Sequence, residues 1–372
     1  MIFKIPIKTG SDRYPVYIGC QFLDRLGPVL KKHVKARAIL LVSDAGVTPL
    51  YARECRIALE AGGFSVKLAE IQGGETHKSL ETASALYDRA IEVGLDRSDA
   101  VLALGGGITG DLAGFVAATY LRGIGFIQVP TTLLAMIDSS VGGKVAVNHP
   151  RGKNLIGAFY QPNLVCADTA LLQSLPEREF NAGLAEMVKS GLIGDERLFE
   201  RMEALSPDGG VSKIEALRPS SLMLKKLIAR SVLLKKKVVQ EDEKELGLRR
   251  VLNLGHTFGH ALEASTGYTY FLHGEAVAWG MALAARLSRY LGLLSLERER
   301  RIIRVVRWLN PPEPPGFITG ESLEQALQYD KKREQETLIF ILPVEAGGVT
   351  VCRSPSRKLL KKTLDDFLLG NI

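Results

Sequence analysis

The sequence predicts an α/β amino-terminal domain with a Rossmann-like parallel sheet, followed by a mainly α-helical carboxy-terminal domain. Three observations carry that expectation. Short apolar runs in the first half alternate with amphipathic stretches, as strands joined by crossover helices do. A glycine-rich turn, "LALGGGITGD", closes one of those runs and opens a helical pattern. Beyond Pro176 the chain changes to long helical patterns, with few strand-like runs before "TLIFILPV". The expected division is therefore residues 1–177 and residues 178–372.

The opening "MIFKIPIKTGSDRYPVYIG" alternates apolar and polar residues and lacks a long apolar core, so it reads as a strand rather than a signal peptide. "ARAILLVSDAG" is a strand followed by a helix from about residue 48. "FSVKLAEIQGG" precedes a helix from about 78, and "DAVLALGGG" one from about 111. "GIGFIQVPTT" adds a further apolar strand that ends in a loop. In the second half, "SSLMLKKLIARSVLLKKKVVQEDE" and "GEAVAWGMALAARLSRYLG" are long helices. No internal repeat or low-complexity segment interrupts the pattern.

Composition removes several function classes. The 372 residues suffice for two real cores, and the four cysteines, Cys20, Cys55, Cys166 and Cys352, show no C-x-x-C spacing. That argues against a disulfide framework or a cysteine zinc site and fits a reducing, cytoplasmic setting. The stretch nearest to a membrane span, "VLALGGGITGDLAGFVAATYL", is rich in glycine and carries Asp111, so a strand, turn and helix explain it better. The net charge of +7 raises nucleic acid as a partner. The basic runs "LLKKKVV" and "LERERRIIRVVRW" lie in amphipathic helical patterns, however, with no recognition motif beside them. No nucleic-acid or membrane partner is expected.

Gly105, Gly107 and Gly110 satisfy G-x-G-x-x-G between a strand and a helix, where missing side chains let a backbone approach a pyrophosphate. The match follows at least two earlier strand-helix units and has no acidic residue about 20 positions on, so it is a variant dinucleotide site or a helix-packing device. Asp44, Glu75 and Lys78 in earlier turns could meet a ribose or adenine. Downstream, Thr131, Thr132, Asp138, Lys144, Lys153 and Asn154 are interleaved with small residues. Two lysines in flexible glycine segments beside a phosphate-type loop point to a phosphorylated substrate.

"NLGHTFGHALE" sets His256 and His260 about one helical turn apart, with Glu263 on the same face. The zinc-protease pattern fails because Thr257 stands where its glutamate would be. "FLHGEAV" adds His273, and "NAGLAEMVKSGL" sets Glu186 and Lys189 on one helical face. Two histidines and a carboxylate make a catalytic metal set. With three histidines available, one is left for proton transfer, and spacing alone leaves open which.

Five stretches together resemble the successive blocks of the 3-dehydroquinate synthase family: "GGGITGDLAGFVAATYLRG", "PTTLLAMIDSSVGGKVAVNHPRGKNLIGAFYQP", "LPEREFNAGLAEMVKSGL", "LGLRRVLNLGHTFGHALE" and "FLHGEAVAWGM". They cover roughly residues 100–285 densely. The wider family includes sugar-phosphate cyclases, and its fold is similar to that of glycerol dehydrogenase. The resemblance implies a shikimate-pathway enzyme that converts 3-deoxy-D-arabino-heptulosonate 7-phosphate to 3-dehydroquinate and phosphate. NAD is used catalytically in a net non-redox lyase reaction: oxidation, phosphate elimination, reduction, and ring opening with aldol closure.

By the same resemblance Glu186, His256 and His273 hold zinc or cobalt, and His260 is catalytic, near the phosphate and the proton path. Lys144, Lys189, Lys235, Arg249, Asn154 and Asn253 would hold the phosphorylated sugar acid, with Asp138 near the reacting carbons. Arg122 would reach a neighbouring subunit, which implies a homodimer. The NAD contacts would be Asp44, Glu75, Lys78, the stretch from Gly106 through Gly107 and Gly110 to Asp111, Thr131, Thr132 and Lys153, with Lys144 standing in both sets. One more substrate lysine would be Lys331 or Lys332. Residues 1–177 would then bind NAD, and residues 178–372 metal and substrate. Val145 and Ala146 depart from the frequent Thr and Gly, and Gly73 from the frequent Asp. Glu263 has no role beyond support of a ligand or simple exposure. The anion-binding lysines argue against a polyol dehydrogenase. Together with Arg249, Asn253 and His260 they favour a carboxylate-bearing substrate over that of a sister cyclase.

Overall fold

A computed structural model of the chain describes all residues except 11, 207–216 and 334–337. It divides into two compact units, residues 1–175 with 218–244, and residues 176–217 with 245–372.

The first unit is built on strands β1 (Phe3–Lys8), β2 (Arg13–Gly19), β3 (Ala38–Asp44), β4 (Ser65–Ile71), β5 (Ala100–Gly105), β6 (Gly125–Pro130), β7 (Lys144–His149), β8 (Gly152–Phe159) and β9 (Leu164–Asp168). Seven of them form one sheet in the order β1-β2-β9-β6-β5-β3-β4. Only β1 pairs antiparallel with its neighbour; from β2 to β4 all pairs are parallel. β5 is buried at every position, as expected of a strand covered on both faces. The chain moves outward from β3 to β4, then crosses back to β5 and continues to β6. That reversal creates a switch point at the carboxyl ends of β3 and β5, where open α/β sheets bind ligands. It also explains why the glycine turn lies so late in the sequence.

Helices α1 (Leu26–Leu30), α2 (Arg53–Ala61), α3 (Leu80–Val93) and α4 (Gly107–Thr119) flank the sheet. Their starts differ by a few residues from expectation, for local reasons. Residues 48–52 form one wide turn before α2. Ser79 caps α3 by accepting from the N–H of Thr82. α4 begins at Gly107, after Gly106 and without any side-chain cap, four residues earlier than expected from the hydrophobic pattern.

The segment expected as flexible glycine loops is instead an antiparallel hairpin of β7 and β8. Gly142 and Gly143 turn the chain at positive φ, after which Val145 and Val147 point into the core beneath α3 and α4. Val145 is accommodated because its neighbour on α4 is Gly114, where an added Cβ would stand 2.4 Å from it. Lys144 therefore opens a strand, and Lys153 lies within one.

The second unit begins with α5 (Glu177–Gly194) and α6 (Glu196–Ala204). The chain then returns to the first unit as α7 (Leu222–Glu241), so the linear division at 177/178 differs from the one the packing makes. The physical reason is visible at Lys235, whose ammonium reaches both the backbone oxygen of Asp138, at 2.6 Å, and its carboxylate. Back in the second unit follow α8 (His256–Ser265), α9 (His273–Tyr290), α10 (Leu296–Trp308), α11 (Gly320–Arg333) and α12 (Arg357–Leu368), with a hairpin of β10 (Ile339–Pro343) and β11 (Val349–Arg353). α9 is the core helix, buried from Gly274 to Ser288. Its Gly274 and Gly280 lie so close to the backbone oxygens of Ala182 and Gly255 that an added Cβ would come within 2.1 and 1.9 Å of them. These contacts lock α9 against α5 and against the turn that starts α8. Three helices carrying the expected metal ligands are thereby fixed in one unit.

Candidate functional site

In the second unit, Glu186 on α5, His256 at the start of α8 and His273 at the start of α9 bring one ligand atom each within 4.8 Å of one another. Glu186 is 1 % exposed, and the two oxygens of its carboxylate are differently engaged. Oε2 pairs with Lys189 Nζ at 2.5 Å, one turn along the same helix. Oε1 faces His256 Nε2 at 3.8 Å and His273 Nε2 at 3.7 Å, and accepts no hydrogen bond from the described residues. A buried carboxylate oxygen without a donor, opposite two imidazole nitrogens, has the chemistry of a divalent-cation site with open positions.

The far side of each imidazole is also held. His256 Nδ1 lies 3.1 Å from the backbone oxygen of Leu254, which places a proton on Nδ1 and leaves Nε2 bearing the lone pair. Burial, then the charges of Lys189, His273 and His260, keep His256 well below the ordinary histidine range, so it is neutral as a ligand must be. His273 Nδ1 lies 3.4 Å from Glu263 Oε2. Burial pulls His273 down, but the hydrogen bond and charge of Glu263, with Glu186 beyond, outweigh it and raise the value. Glu263 is itself buried, so simple exposure is not its role. It also groups with His260 and His273, but through the imidazole nitrogen that turns away from Glu186. His260 is exposed, its ring centroid 5.6 Å from that of His256 and 6.2 Å from that of His273. Arg249 lies fully buried in the short turn Leu248–Asn253 that leads to α8, and Asn253 closes that turn.

In the first unit, the residues expected to meet a nucleotide gather around the carboxyl ends of β3 and β5. Asp44 ends β3, accepts from the N–H groups of Gly46 and Val47 at 3.0 and 3.1 Å, and from the Thr109 hydroxyl at 3.1 Å. Gly106 and Gly107 leave the uncapped start of α4 without side chains. Gly105 and Gly110 have a packing duty as well, since a Cβ there would stand 2.5 and 2.8 Å from Thr109 and Gln128. Thr131 accompanies β5 through an N–H bond to the Gly105 oxygen, and Thr132 stands against Gly106. This donor-rich, side-chain-poor end of a 13-residue helix fits the pyrophosphate of a dinucleotide.

Lys78 is 4 % exposed and spans two groups, donating to Asp111 Oδ2 and Asn154 Oδ1 at 2.5 Å each. Burial raises the Asp111 carboxyl above its usual range, although the ammonium of Lys78 opposes that. Asp138 sits in a single wide turn, residues 135–139, and is paired with Lys235. Lys144 and Asn154 are exposed on the hairpin, and Lys153 is half-buried. Asn154 itself has φ +55°, an uncommon setting for a residue other than glycine. Arg122 is exposed after α4, within three successive positive-φ residues, Leu121, Arg122 and Gly123. Such a run stores strain where a side chain is being presented. The side chains of Lys331 and Lys332, at the end of α11, lie outside what the structure describes. Sequence reasoning gave Glu263 no role beyond support of a ligand or simple exposure; the i+3 spacing of Glu263 from His260 was its one visible signal.

The family model for the 3-dehydroquinate synthase N-terminal region matches residues 68–182, and the one for its C-terminal region matches residues 183–333. The 3-dehydroquinate synthase of Desulforamulus reducens is 48 % identical over 348 residues, covering 93 % of this chain and 95 % of that protein. That of Pelotomaculum thermopropionicum is 47 % identical, covering 98 % and 95 %. Among solved structures, 2-epi-5-epi-valiolone synthase from Streptomyces hygroscopicus with NAD+ and Zn2+ bound has a TM-score of 0.87 at 27 % identity, over 100 % of both chains. A 2-deoxy-scyllo-inosose synthase complexed with carbaglucose-6-phosphate, NAD+ and Co2+ has a TM-score of 0.80 at 28 % identity, covering 98 % of this chain and 99 % of that one. Glycerol dehydrogenase from Schizosaccharomyces pombe has a TM-score of 0.64 at 16 % identity over 95 % and 89 %, which speaks to the fold alone.

Proposed function

This chain belongs to the 3-dehydroquinate synthase family, and from that premise we propose how its own residues divide the work. Its activity is the conversion of 3-deoxy-D-arabino-heptulosonate 7-phosphate to 3-dehydroquinate and phosphate, with NAD and a divalent metal. The observation that carries the assignment of the metal site is Glu186 Oε1, buried without a donor and facing two imidazole nitrogens. When bound, the metal polarises substrate oxygens and NAD takes and returns one hydride.

The residues supply the rest. Glu186, His256 and His273 hold zinc or cobalt; the Leu254 oxygen and Glu263 orient the two imidazoles toward it. His260, outside this set, carries protons near the phosphate. Lys189 neutralises Glu186 and, with Arg249 and Asn253, holds anionic and hydroxyl groups of the substrate in the second unit. In the first unit, Asp138, Lys144, Asn154 and Lys235 are the residues assigned to the substrate's anionic and hydroxyl groups. Asp44, Glu75, Lys78, Gly106, Gly107, Gly110, Asp111, Thr131, Thr132, Lys144 and Lys153 receive the dinucleotide. NAD binding is thereby assigned to the first unit and metal binding to the second, with substrate-binding residues in each. Arg122, exposed after α4, is assigned to a partner's phosphate site in a homodimer. The protein works in the cytoplasm; no described helix is long and apolar enough to cross a membrane.

The test is phosphate release from 3-deoxy-D-arabino-heptulosonate 7-phosphate with trace NAD+, following NADH absorbance in the same cuvette. Release without NADH accumulation, abolished by a chelator and restored by zinc or cobalt, is expected. Steady NADH build-up on a polyol would overturn the reading in favour of a dehydrogenase.

A further inference from the structure

One side chain outside every set assigned above ties three of its members together. In the β7–β8 hairpin Val147 pairs with Ile156 and His149 with Gly152, so Asn148 alone faces residues 153–155. This bulge re-aims the backbone at Asn154, with φ +55°. The N–H of Asn154 donates at 2.9 Å to Asn148 Oδ1. The amide of the same side chain donates to Glu75 Oε1 at 2.7 Å and to the Glu75 backbone oxygen at 3.2 Å. The backbone N–H of Asn148 donates to the Lys78 oxygen at 2.7 Å, part of a parallel bridge between Ser79 and Asn148. Only one orientation of the carboxamide meets both an N–H and a carboxylate, and only an amide supplies a donor and an acceptor from one short planar group.

We infer that Asn148 is a positioning residue that locks the Glu75–Lys78 turn to the bulge at Asn154, so that cofactor-facing and substrate-facing groups are set as one piece. Lys78 closes the ring by donating to Asn154 Oδ1. Without the Asn148 side chain, Glu75 loses its donor and the Asn154 N–H loses its acceptor, while the ladder bonds of the hairpin on either side remain. The inference rests on the proposed roles of Glu75 and Lys78 toward NAD and of Asn154 toward substrate.

The test measures NAD+ affinity of the metal-loaded enzyme, and the KM and kcat of phosphate release, for Lys78→Ala, Asn148→Ala, Asn148→Asp, Glu75→Gln and the pair Asn148→Asp with Glu75→Gln. Asn148→Ala weakens NAD+ binding roughly tenfold, the size of one or two lost hydrogen bonds, and raises KM. Asn148→Asp sets two carboxylates face to face and does at least as much harm. Adding Glu75→Gln restores a donor–acceptor pair with the roles exchanged, so the pair loses less NAD+ affinity than the sum of the losses in Asn148→Asp and Glu75→Gln. A merely structural residue gives additive losses with no such rescue. If Lys78→Ala weakens NAD+ but Asn148→Ala does not, or if the pair shows no rescue, the positioning role is wrong and the site reading stands. If Lys78→Ala leaves NAD+ affinity unchanged, the cofactor assignment falls and this inference falls with it.

Discussion

Glu263→Gln isolates one feature of the metal centre, because it keeps the volume of the side chain and removes its charge, leaving one acceptor oxygen in place of two. Glu263 Oε2 stands 3.4 Å from His273 Nδ1, and its side chain is 5 % exposed. Loss of a carboxylate that orients a metal-bound imidazole costs about 10- to 100-fold in metal affinity. At 3.4 Å the hydrogen bond is long, so the lower part of that range is expected, about 10- to 30-fold, or ~1.4–2 kcal/mol. The assay is a competition titration of Co2+ against a chromophoric chelator, with the ligand-field spectrum of bound Co2+ as a second readout. The variant should still bind, with the same coordination number and a weakened affinity. Two results refute the reasoning. Unchanged affinity would remove Glu263 from the support of His273. A loss as large as that of His256→Ala would make Glu263 a ligand in its own right, through its grouping with His260 and His273.

Three further outcomes are expected. His256→Ala and His273→Ala each lose bound metal, measured by elemental analysis after dialysis, while His260→Ala keeps it and loses turnover; equal metal loss in all three would contradict that division. Gly280→Ala forces a Cβ to within 1.9 Å of the Gly255 oxygen, against backbone that cannot swing away, and should cost about 3 kcal/mol or more of stability together with metal affinity, seen by thermal unfolding. Asp366 accepts from Arg286 Nη1 at 2.7 Å and from Tyr290; burial pushes its carboxyl up, but these bonds outweigh it and hold it below the ordinary range. A depressed folded value means stability that is fully present above the unfolded pKa of about 3.9 and is lost as pH falls through the folded one. Asp366→Asn should therefore lower the melting temperature at pH 7, by a loss on the order of 2 kcal/mol. The deficit against the native protein should narrow steadily below about pH 4; a deficit independent of pH would point to packing instead.

β3, β5 and β6 were legible because each is an apolar run between turn residues, and a strand covered on both faces needs nothing else in its sequence. β9 was not read, and the opening, read as one strand, is the antiparallel pair β1 and β2. Nor was the hairpin of β7 and β8 legible. Its glycines and lysines mimic a loop, and its inward residues, Val145 and Val147, are too few to mark a period, because only one face of it is covered. The return of α7 to the first unit was equally hidden, since the Lys235–Asp138 pair joins positions 97 apart and local pattern holds no trace of it. Within the site, spacing put His256 and His260 on one face of a helix, yet the ligand geometry depends on which nitrogen His256 and His273 turn toward Glu186. That is decided by the Leu254 oxygen and by Glu263, partners whose residue types carry no chemical flag.

The same logic separates the two halves of the chemistry. A glycine turn or a histidine pair announces itself because few residue types can do its work. The groups that aim those residues, Asn148 on the hairpin and Glu263 on α8, belong to types found everywhere on protein surfaces, and only the hydrogen bonds they make distinguish them. An oxygen 3.4 Å from an imidazole and an amide 2.7 Å from a carboxylate are both arrangements that a one-atom substitution weakens without moving the backbone. Isosteric exchanges at these two positions should therefore separate binding defects from folding defects: affinity for Co2+ falls with Glu263→Gln, affinity for NAD+ falls with Asn148→Asp, and the melting temperature of the metal-loaded protein changes little in either. A collapse of the melting temperature in both would mean that the two residues hold the fold rather than the sites.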